Sequence, residues 1–342
     1  MRRGAFERLA PPWEEPIVDS VWAPPTLGQT VELQVPIAPG VRFRWISEFV
    51  DVRKDEMFRD IQVTGPFASF DHQHKFEPAG PSASMMEDRI KYSLLGGRMG
   101  DSLQHSMARR KLEAAFAYRH RVLHADLSAH KQSTRRGLRV LISGSTGLIG
   151  STLVAFFESG GHDVFRLTRR APANDHEIEF DTAKGAAHPS EMEGFDAVVH
   201  LAGDSIAEGR WTAGKKTLIR DSRVPFTKRL AETLAALKKP PLVFVSASAI
   251  GYYGDRADRV LRESDPPGLG FLPDVCVEWE AAAEPASLAG IRVVNLRTGL
   301  VLTPKGGALA PMLIPFSVGL GGPLGSGKQW WSAIALDDLI YL

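Results

Sequence analysis

Two successive patterns in the sequence predict an α+β domain followed by an α/β domain built on a parallel, doubly wound sheet. Up to about Leu95, apolar residues alternate with polar ones, the period of half-buried strands. From about Ala108 to His130 they recur at helical spacing. After Leu138 a compact apolar strand runs into a glycine-rich turn and then an amphipathic helix, which opens a parallel βαβ unit.

The bulk properties narrow the function classes. A chain of 342 residues suffices for two domains of ordinary size, and 44% hydrophobic with 24% charged residues fits neither a disordered chain nor a membrane protein. The formal charge of +1 provides no field to draw the protein to nucleic acid or an anionic bilayer, so neither is expected as a partner. A single cysteine, Cys276, allows no internal disulfide, which suits a reducing cytoplasm. Residues Met1 to Arg8 carry charges with no apolar run behind them, so no signal peptide is expected. No window reaches the roughly 18 to 20 apolar residues of a membrane span. The oligomeric state is left open.

In the first half, Val31, Leu33, Val35 and Ile37 alternate with polar neighbours, as do Phe70, His72, His74 and Phe76. Further strands are expected from Phe43 to Val52, Met57 to Val63 and Met86 to Leu94, punctuated by turns such as Glu77-Pro78-Ala79-Gly80-Pro81. Leu112, Phe116, Leu123 and Leu127 then mark one long helix. A curved antiparallel sheet closed by one helix is a helix-grip arrangement, expected over residues 1–130. His72 and His74 share a strand face and would supply two metal ligands; with no third evident nearby, they read as a packed or hydrogen-bonded pair, and no metal is expected. The polar, basic stretch 131–137, with Lys131, Arg135 and Arg136, reads as a solvated linker.

Gly65-Pro66-Phe67, Asp71 through Phe76, and the run from Arg109 to Arg121 resemble the polyketide cyclase and START-like superfamily. That resemblance covers roughly residues 4 to 130 and implies a cavity for an apolar small molecule. It also implies an opening strand and helical pair of which only the tail is present, so the domain reads as incomplete at its start.

The second domain is expected over residues 138–342. Leu138 to Ser143 form the strand, Gly144-Ser145-Thr146-Gly147-Leu148-Ile149-Gly150 the turn and helix start, and Val154, Phe156 and Phe157 the helix face. The first glycine permits a tight turn, the second lets the backbone approach a pyrophosphate, and the third lets helix and strand pack closely. The helix N-terminus adds about half a positive charge. A second strand, His162 to Leu167, follows one helix later, as a Rossmann dinucleotide site requires. Its end carries Thr168-Arg169-Arg170 rather than the Asp or Glu of an NAD site, and two guanidinium groups suit a 2′-phosphate. NADP is therefore the expected cofactor, with NADPH preferred over NADH.

The spacing Gly-x-x-Gly-x-x-Gly resembles the extended short-chain dehydrogenase/reductase superfamily. By that resemblance Phe195 to Gly203 is the fourth strand, whose end Leu201-Ala202-Gly203 passes beside the cofactor, and Asp181 is an acidic adenine contact. Gly209-Arg210-Trp211-Thr212, Ser222-Arg223-Val224, Ser246 through Gly254, Trp279-Glu280, Leu296-Arg297-Thr298-Gly299 and Gly306-Gly307-Ala308-Leu309 are more specific. Together they resemble an atypical branch, the epimerase family proteins or nucleoside-diphosphate-sugar epimerases, some of which carry a cyclase-like domain and whose substrates are generally unassigned. The resemblance implies a small-molecule substrate, contacted by Arg210, Trp211, Arg223 and Arg297. It makes the glycine-rich segments 306–309 and 319–325 walls of the cleft.

The superfamily's usual chemistry uses a Ser or Thr and a Tyr-x-x-x-Lys dyad, in which the lysine lowers the tyrosine pKa so that the phenol exchanges a proton as hydride moves. Ser248 fills the serine position. No lysine stands between Pro240 and Pro304, and the stretch expected to hold the dyad reads Asp274-Val275-Cys276-Val277-Glu278-Trp279-Glu280. Three readings stay open: Tyr252 or Tyr253 supplies the proton; Cys276 or Glu278 is the acid or base; or the domain binds NADP without turnover, as a sensor or scaffold. A further alternative is an apolar-ligand-binding protein using the N-terminal cavity. The substrate lobe of extended reductases runs on well beyond Leu342, so a truncated lobe, and a fragment of a longer protein, is expected.

Overall fold

The computed structural model describes residues 2–14, 17–18, 23–38, 41–81, 83–95, 101–133, 135–182, 184–186 and 188–342. The chain divides into two compact units, Met1–Ser128 and Ala129–Leu342.

In the first unit a short helix α1 (Ala5–Leu9) precedes six strands: β1 (Ile17–Val18), β2 (Thr30–Ala38), β3 (Val41–Arg53), β4 (Met57–Thr64), β5 (Ser69–Pro78) and β6 (Ser84–Ser93). They form one antiparallel sheet in sequence order. Helix α2 (Asp101–Gln132) follows, longer at both ends than the periodicity predicts, and its last turn takes in the first two residues read as linker. The alternation in β5 shows in burial: Phe70, His72 and His74 are buried while Ser69 and Lys75 are exposed. One sheet face is therefore covered, by α2, where the Phe116 ring lies 5.3 Å from His72 and Tyr118 is buried. Arg8 reaches from α1 to Asp126 of α2 in a buried two-point pair, at 2.9 and 2.7 Å.

The second unit contains β7 (Arg139–Ser143), α3 (Leu148–Gly160), β8 (Asp163–Thr168), β9 (Glu177–Asp181), β10 (Gly185–Ala186), β11 (Ala197–His200), α4 (Ala213–Asp221), α5 (Val224–Ala235), β12 (Val243–Ala249), α6 (Phe271–Ala281), α7 (Glu284–Leu288) and β13 (Arg292–Thr298). The sheet order is β10-β9-β8-β7-β11-β12-β13, parallel except for the β10 edge. Successive residues Val140, Leu141 and Ile142 point to opposite faces, yet all three are fully buried. Both faces are therefore covered, which is why these strands read as unbroken apolar runs. Helix α5 buries Phe226, Leu230 and Leu234 at helical spacing against Phe180 and Phe244 of the sheet. Burial of each such side chain contributes about 1.5–3 kcal/mol.

Beyond β13, β14 (Leu300–Thr303), β15 (Gly306–Gly307), α8 (Ala310–Ser317), β16 (Ala333–Ala335) and α9 (Leu336–Tyr341) complete the chain. β14, β15 and β16 make a small three-stranded sheet. Gly306 and Gly307, expected as cleft loop, are a short strand paired with β14 because the backbone of Leu302 and Thr303 takes up their hydrogen bonds.

Candidate functional site

The strand order reverses between β7 and β11, so β8 and β9 run to one side of β7 and β12 and β13 to the other. In an open parallel sheet that crevice, at the carboxyl ends of the strands, is where a dinucleotide binds. Gly144 follows β7 with φ of 69°, and a Cβ there would stand 2.8 Å from Ala202 N, so only glycine lets the turn lie this close to the end of β11. At Gly150 a Cβ would fall 2.2 Å from Gly144 O, against the turn itself. Helix α3 has no side-chain cap and no acidic residue in its first turn. The amides of Leu148, Ile149 and Gly150 have no intrahelical acceptor and face no carboxylate of their own turn. Such a cradle fits a pyrophosphate.

The remaining residues expected at the cofactor lie along the same edge. Arg169 and Arg170 follow β8 and are exposed; Arg170 stands 3.7 Å from Glu177. Asp181 ends β9, where its carboxylate accepts from Lys184 N at 3.0 Å. Leu201 donates its amide to Ser143 O at 3.2 Å, which ties the Leu201-Ala202-Gly203 turn to the end of β7.

A buried polar chain beneath this edge was not singled out by the sequence reading. His200, fully buried at the end of β11, bonds Ser143 Oγ through Nδ1 at 2.6 Å and Thr227 Oγ1 through Nε2 at 3.0 Å. Trp279 Nε1 also donates to Thr227 Oγ1, at 2.9 Å. Burial pushes the His200 imidazole down to about 3, so it stays neutral. The one signal in the sequence is a histidine closing the apolar run Ala197-Val198-Val199.

The catalytic candidates converge on one cluster. Ser248 and Arg297 are register partners on β12 and β13. Ser248 Oγ donates to Glu280 Oε1 of α6 at 2.6 Å. Arg297 grips the same carboxylate with Nε and Nη2, both at 2.8 Å, and donates from Nη1 to the Tyr253 hydroxyl at 2.9 Å. Tyr252 and Tyr253 sit in a single 3₁₀ turn after β12, and the Arg297 guanidinium also lies 3.5 Å from the Tyr252 ring centre. The side-chain hydrogen bond to Glu280 raises the Arg297 pKa further. Arg297, expected as a substrate contact, is thus bound to protein groups and brings a cation to the phenol. Glu280 is neutralised by it rather than facing a tyrosine alone.

The other candidates separate. Arg223 donates to Asp204 O at 2.8 Å and Ile219 O at 2.9 Å and stacks on Trp279, so it braces the loop after β11; burial lowers its pKa. Arg210 is exposed, and Trp211 bonds Ile206 O at 2.9 Å and meets the Phe271 ring edge-on. Cys276 is buried, and burial pushes its thiol up to about 11, which argues against an acid–base role at neutral pH. Glu278 pairs with Arg220 at 2.6 Å.

The expectation that His72 and His74 lack a third ligand candidate is corrected. Asp60 of β4 completes a group of three possible metal ligands with them, and Asp88 of β6 and His120 of α2 lie within the same cluster. These groups come from other strands and a helix, a proximity that sequence spacing does not display.

The fold and the glycine cradle define a dinucleotide-binding protein of the Rossmann class. The chain belongs to the NAD dependent epimerase/dehydratase family, whose family model matches residues 140–340. An epimerase family protein of Mycobacterium bovis is 47% identical over 199 residues, which cover 58% of this chain and 65% of that protein. The solved nucleoside-diphosphate sugar epimerase of Corynebacterium glutamicum is similar over 99% of this chain and 70% of its own, at 32% identity and a TM-score of 0.82. The human epimerase family protein SDR39U1, solved with NADPH, is similar over 59% of this chain and 68% of its own, at 34% identity and a TM-score of 0.54. Among the described residues no helix is long and apolar enough to cross a membrane.

Proposed function

We propose that the second unit binds NADP and carries out hydride chemistry at a carbonyl or alcohol of a small-molecule substrate, with Tyr253 as the proton-exchanging group. The observation that carries this reading is the 2.9 Å hydrogen bond from Arg297 to the Tyr253 hydroxyl. With its oxygen accepting from a guanidinium, the phenol has its own proton left to give, and the cation balances the charge that stays on oxygen. Arg297 so does, from β13, what the lysine of the usual dyad does from a helix. Ser248 and Glu280 hold that guanidinium in place.

The pyrophosphate would lie on the backbone of residues 144–150, with Leu201, Ala202 and Gly203 beside it. Arg169 and Arg170 would take the 2′-phosphate, and Asp181 would stand near the adenine. NADPH in the human relative supports this choice. Once bound, the nicotinamide supplies or accepts the hydride. Arg210 and Trp211 are the proposed substrate contacts. The first unit we read as a helix-grip domain. A hollow of about 450 Å³ in that unit is lined by Asp51, Arg53, Arg59 and Lys75 among others.

Burial favours a second reading, NADP binding without turnover. Ser248 and Tyr253 are only 4% and 8% exposed. One experiment decides between them: NADPH consumption is followed with a panel of carbonyl compounds and nucleotide sugars, in the unaltered chain and in Tyr253→Phe and Arg297→Ala. Turnover lost in both variants with NADPH affinity unchanged supports the catalytic reading. Absence of turnover with tight NADPH binding overturns it in favour of the second.

A further inference from the structure

The first unit holds a second cluster of chemistry-bearing groups, independent of the glycine cradle. Register places Asp60 opposite His72 and Asp88 opposite His74, so carboxylates from both neighbouring strands share the histidine face. His74 Nδ1 stands 2.6 Å and His72 Nε2 3.4 Å from Asp88 Oδ1. Asp88 Oδ2 meets His120 Nε2 of α2 at 3.0 Å. The side chains of His72, His74 and Asp88 are 8%, 10% and 5% exposed.

Proximity without alignment sets this group apart. His72 Nε2, His74 Nδ1 and Asp88 Oδ1 are all buried, and none makes a hydrogen bond of acceptable geometry. A buried polar atom left so is costly. Two of them, His74 Nδ1 and His72 Nε2, face the third, Asp88 Oδ1, at 2.6 and 3.4 Å, an arrangement that a bound cation would satisfy.

The geometry points to a divalent-cation site of the zinc type, with His72 Nε2, His74 Nδ1 and Asp88 Oδ1 as its protein ligands. Two imidazoles and a carboxylate suit Zn²⁺, with the fourth position left to water or a small anion. Tetrahedral bonds of about 2.0–2.1 Å hold neighbouring ligand atoms about 3.3 Å apart. The His72 and Asp88 atoms already have that separation, and the His74 and Asp88 atoms need to part by about 0.7 Å. Asp60 Oδ1 stands 3.9 Å from His72 Nδ1, on the side where carboxylates orient a ligating imidazole, and His120 does the same for Asp88.

The test uses the whole chain, stripped with a chelator and titrated with Zn²⁺ by calorimetry and with Co²⁺ by visible absorption. One Zn²⁺ per chain is expected, together with the intense visible bands of four-coordinate Co²⁺. Affinity should fall by at least about tenfold in His74→Gln and in Asp88→Asn and stay unchanged in the surface control His188→Gln. No stoichiometric binding, or binding that both site variants retain, overturns the assignment. Should either variant fail to fold, the Co²⁺ spectrum of the unaltered chain decides. Bands of six-coordinate Co²⁺, or none, overturn it.

Discussion

The glycine turn and the Ser248–Glu280–Arg297–Tyr253 cluster lie in one sheet, yet they are built by opposite means. The turn is seven consecutive residues whose backbone makes the site, so strand, turn and helix are read directly from the order of the letters. The cluster gathers side chains from β12, the following 3₁₀ turn, α6 and β13, spread over 50 residues. Its missing lysine looks like lost chemistry until register puts Arg297 beside Ser248. A site made of backbone is encoded locally, and a site made of side chains is encoded by topology.

The strongest way to break the comparison is at the turn itself. Gly150→Ala sets a methyl 2.2 Å from Gly144 O, and at Gly144 alanine also meets a φ of 69°. Either variant is expected to lose about 2–4 kcal/mol of stability by urea melt and to bind no cofactor in a fluorescence titration. Full retention of NADPH binding in both would show that the turn is not the cradle.

Next in size is the pillar beneath it. His200→Leu strips Ser143 and Thr227 of their shared partner and is expected to cost about 2–3 kcal/mol. It also changes the acid response. The folded imidazole titrates near 3 rather than at its ordinary 6.5, so the unfolded chain binds the extra proton. Stability from this residue is fully present above pH about 6.5. It declines as pH falls toward 3, by at most about 1.4 kcal/mol per unit. Urea midpoints measured from pH 7 to 4 should fall less steeply in His200→Leu than in the unaltered chain.

The cluster should respond more gently in stability than in function. Arg297→Ala leaves Glu280 with Ser248 alone and is expected to cost about 1–3 kcal/mol, while Tyr253→Phe removes one hydrogen bond and costs about 1 kcal/mol or less. Thermal melts of the two variants rank them, and a larger loss in Tyr253→Phe would point to a structural role for the phenol. The smallest effect on folding is expected at the tip of β8. Arg169→Ala and Arg170→Ala should melt like the unaltered chain yet weaken NADPH binding about tenfold relative to NADH. Equal losses for both cofactors would remove the 2′-phosphate from the account.

Much of the fold was legible because period carries it. The strands β2 to β8 follow alternation or apolar runs within a few residues, and α2 differs mainly in its ends. The two-residue strands β1, β10 and β15 were not legible, since they exist only through pairing with β2, β9 and β14. The glycine turn was legible from its neighbours. His200, Glu280 and the partners of His72 and His74 were not, because each acts through a residue distant in sequence.

By itself the sequence determined the order of strands and helices, the glycine turn and the positions of its charges, since these depend on steric and solvation preferences that act over a few neighbouring residues. Only the tertiary structure decided which cation meets Tyr253, that His200 is a neutral pillar, and that Asp60, Asp88 and His120 surround a histidine pair. Those facts rest on strand register and helix packing, which bring residues dozens of positions apart to within a hydrogen bond of one another.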